Sequence, residues 1–186
     1  MTAPTLTKQQ VLDIVLTEDR YHGWFDALPG EDGTAYTPSQ MAKLVMDHDA
    51  IVWAFLRPGV LGDAFGAVVC RIAEVSLPAF EVARPGDTRA RAASDVARRC
   101  FDSPTAQNRC DAKLWAGFAE MDAADAYGVA DGPTEAMWSA WAAALAAARE
   151  SDPVWAGTFA DRVAGYAVDA GAPRATIRSI IEGAGQ

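Results

Sequence analysis

The residues of this chain that could do chemistry are two histidines, three cysteines and the carboxylates beside them. His48 stands between Asp47 and Asp49. His22 follows Glu18 by four residues and Asp19 by three, so a helix would carry all three side chains on one face. Imidazole nitrogen with carboxylate oxygen is a donor set for a divalent metal, and one reading is a metalloprotein using His22 and His48. That reading requires the two segments to meet, and neither carries a recognised metal motif. Asp49 serves equally well as the N-cap of a helix from Ala50 to Leu56. No cofactor or metal is therefore expected. A thiol nucleophile would need a histidine and an orienting group beside it. Cys70 and Cys100 fall on Ala/Val-rich faces and should be buried, whereas Cys110, between Arg109 and Asp111, should be more exposed. GxSxG, HExxH, Walker-type and GxGxxG sequences do not occur. The chain is expected to be non-enzymatic.

Charge narrows the partners. Over 186 residues, 16 basic side chains face 25 acidic ones, a net charge of −9. Such a field repels phosphate backbones and anionic lipid, so direct nucleic-acid and membrane binding are disfavoured and a protein with a basic surface is expected. The charge is uneven: residues 1–83 carry −6, residues 84–113 carry +3 and residues 114–186 carry −6. The middle stretch holds Arg84, Arg89, Arg91, Arg98, Arg99, Arg109 and Lys113, which should pair with acidic neighbours of the same fold or form a solvated helix face. Cysteines without paired spacing, and a start at Met1 with no apolar h-region, lead to the expectation of a reducing cytoplasm. The apolar run from Ile51 to Cys70 is interrupted by Arg57, Pro58 and Asp63, so no membrane span is expected.

The elements that must position these residues read as helices. Ala makes up about a fifth of the chain and is the strongest helix former. Thr7–Gln10 and Thr37–Gln40 have capping-box spacing, and Ser103-Pro104, Gly132-Pro133 and Asp152-Pro153 pair a cap with a first-turn proline. Gly128, Gly171 and Gly183 are placed to end helices in the left-handed conformation. Apolar residues recur at helical spacing: Met41, Leu44 and Val45; Phe65, Val68, Val69 and Ile72; Leu114, Trp115, Phe118 and Met121; Met137, Trp138, Trp141, Ala144, Leu145 and Ala148; Val154, Trp155, Phe159, Val163 and Tyr166. Ala142, Ala143, Ala146 and Ala147 let neighbouring helices approach closely. Pro78 should kink or end its helix, with Asp87 capping the next one from Thr88 to Phe101. The pattern predicts an all-α, compact array of about eight helices in a single domain, residues 1–186, with no essential strand. A flexible Gly- and acid-rich loop is expected over residues 30–37.

The stretch Cys70-Arg71-Ile72-Ala73-Glu74-Val75-Ser76-Leu77-Pro78-Ala79-Phe80-Glu81, followed by Arg84-Pro85-Gly86-Asp87-Thr88-Arg89-Ala90-Arg91-Ala92-Ala93, resembles the Ala-rich all-helical immunity proteins of bacterial polymorphic toxin systems. Ile51-Val52-Trp53-Ala54-Phe55-Leu56 and Leu61-Gly62-Asp63 are similar to that group's short helix and turn, and the likeness extends over roughly residues 45–150. The chain departs from the group in lacking His on its Ala-rich helices. The resemblance implies an all-helical, non-enzymatic fold that binds and neutralises a cognate toxin.

Together these readings lead to an acidic helical protein that neutralises a protein partner as an immunity protein or inhibitor. The alternative is a phage or mobile-element accessory protein with an anti-defence role, which binds a host protein complex by presenting carboxylates in place of DNA phosphates. Aromatic and acidic residues interleave from Asp19 to Asp26. The candidate partner-binding residues are Asp19, Trp24, Asp26, Glu31, Asp32, Asp47 and Asp49.

Overall fold

Thr7 and Gln10 close on each other as their spacing predicts: the Gln10 amide N–H donates to Thr7 Oγ1 (3.1 Å) and the Thr7 N–H donates to Gln10 Oε1 (2.9 Å). Thr37 and Gln40 make the same reciprocal pair at 3.3 and 2.7 Å. These caps open the first two helices among the described residues, whose fold is all-α apart from one two-residue strand pair. The computed structural model describes residues 3–15, 28–31, 33–45, 48–125, 132–149 and 151–185. In chain order the elements are β1 (Leu6–Thr7), α1 (Lys8–Val15), β2 (Ala35–Tyr36), α2 (Pro38–Val45), α3 (His48–Phe55), α4 (Pro58–Leu61) and α5 (Phe65–Ala83). Then follow α6 (Arg89–Asp102), α7 (Ala106–Asp125), α8 (Gly132–Ala148), α9 (Pro153–Asp169) and α10 (Arg174–Glu182). Nine of these helices have eight residues or more, against about eight expected.

The core is organised around α8, which packs against α5, α6, α7 and α9. From Ala136 to Ala148 it is buried or half-buried on every side, so the single apolar stripe expected of it was too narrow. A helix apolar all round belongs at the centre of a layer, and alanine on each face lets four neighbours reach it. Two hydrogen bonds from buried side chains cross these contacts. Ser139 Oγ donates to the Val163 carbonyl of α9 (3.0 Å), and Cys100 Sγ of α6 donates to the Ala147 carbonyl (3.4 Å). On the far side, α5 and α6 cross so closely that a Cβ at Gly66 would lie 2.4 Å from Phe101 Cγ.

Several local expectations give way to tertiary structure. Pro78 does not end its helix: α5 runs five residues further and buries both Leu77 and Phe80. Pro78 itself is exposed, so the clash and missing donor fall on the solvent side, where water can satisfy the freed carbonyl. Asp87 sits one residue ahead of the cap position Thr88. Its carboxylate still accepts from the Arg89 amide (3.1 Å) at the start of α6. Asp49 lies inside the first turn of α3 rather than before it. Gly171 takes the left-handed conformation (φ 99°), whereas Gly183 stays right-handed and opens a short 3-10 turn. Gly128 is outside the described residues. The expected loop over residues 30–37 contains β2, paired antiparallel with β1 through Leu6–Tyr36 and Thr7–Ala35. Leu44, Leu114, Val154 and Trp155, all placed on core-facing stripes by spacing, are exposed.

The ends of the described chain are joined by α10, which packs on α2, α3 and α5. Glu182 at its C-terminus accepts the Ser39 amide of α2 at 2.5 Å. This completes the first turn of α2: Pro38 has no N–H, Gln40 donates to Thr37 Oγ1 and Met41 to the Thr37 carbonyl (3.0 Å). A carboxylate at a helix N-terminus also meets the positive end of the helix dipole. Glu182→Ala is expected to lower the unfolding free energy by about 1 kcal/mol, with Glu182→Gln retaining part of the loss-free stability because its carbonyl still accepts. Urea denaturation followed by far-UV circular dichroism measures it, and unchanged midpoints for both variants would show that the contact contributes nothing.

Candidate functional site

Three of the seven basic side chains of residues 84–113 pair with the fold's own acids. Arg89 forks onto Asp87, with Nη2 2.6 Å from Oδ2 and Nε 2.9 Å from Oδ1. Arg91 Nη2 lies 2.6 Å from Glu81 Oε1, tying α6 back to α5, and Arg98 bridges to Glu74 across the same pair of helices. The Arg89 hydrogen bonds hold the Asp87 carboxyl below the usual carboxylate range, so this bridge persists above that range and is lost as acidification protonates Asp87. Arg84 lies over the Phe80 ring at 5.8 Å. The stretch from Cys70 to Ala93 is thus a helix–turn–helix corner in which Glu81 and Asp87 fix Arg91 and Arg89.

The thiols divide as their sequence context predicts. Cys70 and Cys100 are buried and Cys110 is exposed on α7. Burial pushes the Cys70 thiol up to about 12, outweighing the nearby Arg98 charge that acts the other way. One thiol per folded chain is therefore expected to react rapidly with Ellman's reagent at pH 8, and three after denaturation. Rapid reaction of more than one before denaturation contradicts this arrangement.

Two concave surfaces flank α9. The first is a cleft of about 300 Å³ bounded by the start of α3, the C-terminal half of α9 and the start of α10. It is lined by His48, Asp49, Asp161, Tyr166, Asp169 and Arg174, among others. His48 is only 6% exposed, and its Nδ1 lies 3.3 Å from Arg178 Nη1 of α10. A guanidinium has no acceptor, so the hydrogen bond uses the Nδ1 lone pair and assigns the ring proton to Nε2. A metal on Nδ1 would have to displace the guanidinium. Among the described residues no group of three His, Cys, Asp or Glu side chains is arranged to hold a metal ion.

The second is a groove of about 470 Å³ between β1 and α1 on one side and α4 and the start of α9 on the other. Leu6, Trp53, Pro58, Val60 and Val154 make it largely apolar, and Gln10, Asp13 and Arg57 are its polar members. Arg57 is fixed in place: its guanidinium lies 4.3 Å from the Trp53 ring and its Nε donates to the Trp53 carbonyl (2.8 Å). Gly157 admits it, since a Cβ there would be 2.6 Å from Arg57 Nη1.

An aromatic ladder runs along α8 and α9 to Tyr166 of the cleft. Trp155 stacks on Phe159 (5.9 Å), Phe159 meets Trp141 edge-on (6.0 Å), Trp141 meets Trp138 (5.0 Å) and Trp138 stacks on Tyr166 (5.9 Å).

Of the residues singled out from sequence, Glu31 and Asp49 are exposed, Asp49 at the rim of the cleft and Glu31 in the turn before β2, where its carbonyl accepts from Thr34. Asp19, His22, Trp24, Asp26, Asp32 and Asp47 lie outside the described residues. Sequence reasoning missed Trp53, Arg57 and Val154 as a surface, with the exposed Trp155 next to it in the chain. The available signal was position: Val154 and Trp155 follow the cap at Asp152, in a first turn that precedes the stretch of α9 buried against α8. No helix among the described residues is long and apolar enough to cross a membrane. No family model matches the chain, and no curated protein or solved structure matches it either.

Proposed function

We propose that this chain is a non-enzymatic acidic binding protein that neutralises a protein partner with a basic surface, in the manner of the toxin-immunity proteins its Leu77-Pro78 corner resembles. The observation that carries the reading is the disposition of charge. Three of the seven basic side chains in the most basic stretch pair with Asp87, Glu81 and Glu74, which lowers its attraction for an anionic ligand. The molecule as a whole keeps its charge of −9. A long-range field of that sign steers a basic surface toward the protein and speeds association, as an inhibitor of a cationic cleft requires.

The test is affinity capture with the tagged full-length chain from lysate of its native host, at low and high salt. The expected result is one basic partner retained at low salt and weakened at high salt, whose activity falls on addition of the chain. Capture of no basic protein at low salt, or a captured partner whose activity is unaffected, overturns the reading.

A further inference from the structure

We propose that the groove beside α9 is the surface on which the basic partner docks, and that it receives an apolar side chain flanked by Lys or Arg. The proposal rests on the function proposed above and adds where on the molecule the partner is held. Among the described residues, five large hydrophobic side chains are exposed; Leu44, Val82 and Leu114 stand alone on separate helices. Val154 and Trp155 are adjacent, 72% and 49% exposed, and Val154 lines a groove whose other members are mainly Trp, Pro, Val and Leu. Isolated surface hydrophobics need no explanation, but a contiguous apolar concavity does.

The floor is built to stay open. Trp53 is held under the Arg57 guanidinium, Arg57 is seated against Gly157, and Pro58 opens α4 at its first position. A fixed Trp/Arg floor is the composition of interface hot spots, because large rigid side chains bury much area at little entropic cost. The volume, about 470 Å³, is ample for one large side chain together with part of its backbone.

Charge selects the occupant. Asp13 on α1 lines the groove, with its carboxylate exposed and held toward Gln9 by a 2.7 Å hydrogen bond. Asp152, exposed at the N-cap of α9, stands next to Pro153 of the lining. Arg57 is drawn down onto Trp53, so Asp13 is the outward charge of the lining, and the exposed Asp152 adds a second carboxylate next to Pro153 in the chain. A bare apolar ligand would leave these acids unused, and an acidic one would be repelled by them and by the overall field. An apolar residue between cations satisfies floor and rim together.

The test uses the full-length chain and fluorescein-labelled peptides read by anisotropy: one with two central leucines between lysines, one with serines replacing the leucines, and one with glutamates replacing the lysines. The leucine–lysine peptide should bind saturably at low salt, at least tenfold more tightly than either control. Val154→Arg, at an exposed position, should weaken it tenfold or more with an unchanged circular dichroism spectrum, and Asp13→Asn should weaken it less. Equal binding of the serine peptide, no binding of the leucine–lysine peptide at millimolar concentration, or indifference to Val154→Arg overturns the proposal. So does a dimer in sedimentation velocity that Val154→Arg dissolves, which would assign the groove to a second copy of this chain. If Val154→Arg leaves capture of a basic partner from lysate intact, the groove is wrong and the function stands. If no basic partner is captured by the unaltered chain, the function fails first.

Discussion

Phe80→Ala is expected to destabilise the protein by about 3–5 kcal/mol, a large part of the roughly 5–15 kcal/mol that holds a domain of this kind together. Phe80 is 1% exposed and lies in the final turns of α5, beyond Pro78. Its removal deletes a buried ring, leaves a cavity beneath the α5–α6 corner and takes away the face over which Arg84 sits. Guanidinium denaturation of the variant, compared with the unaltered chain, reads the loss as a lower midpoint. A change below about 1 kcal/mol would mean that the chain leaves the helix at Pro78 and that Phe80 is not in the core. The corner also carries Glu81 and thereby the orientation of Arg91.

Ala143→Leu is expected to cost about 2–3 kcal/mol, although leucine and alanine are close in helix propensity. The loss comes from overpacking: Ala143 is fully buried, as are Ala142, Ala146 and Ala147 on either side of it. Helices that touch across alanine have no room for three further carbon atoms unless they separate, and separation undoes contacts along their whole length. Ala175→Leu, on the exposed first turn of α10, is the control and should stay within about 0.5 kcal/mol. Comparable midpoints for the two variants would show that α8 is not enclosed.

Local rules recovered what is local. The boxes at Thr7–Gln10 and Thr37–Gln40 and the cap at Asp152 involve atoms three residues apart, so the sequence states them directly. The all-helical class followed from alanine content and apolar spacing. What escaped was set by packing between distant segments. The β1–β2 pair joins Leu6 to Tyr36 over two residues per strand, too short for alternation to register. The helix through Pro78 persists because Leu77 and Phe80 bury on either side of an exposed ring. Four faces of α8 were read as one because alanine does not mark which side is inside. At the candidate sites, His48 and Arg178 are 130 residues apart, and Leu6 reaches the same groove as Val154 only through the tertiary fold. Spacing could place the chemistry-bearing residues on helices but not against one another.

The enclosure of α8 also fixes an order of events during synthesis. The three helices that surround it from the N-terminal side, α5, α6 and α7, are complete by Asp125, before the residues of α8 have been added. A nascent chain of that length holds the walls of a core without its centre, with α5, α6 and α7 lacking the alanine-rich helix they later pack against. Folding to the native packing must wait for Ala148, and the last wall, α9, follows it. Cells making this protein thus carry, for the time taken to add some twenty residues at roughly 5–20 residues per second, a chain whose helices can form but cannot yet close.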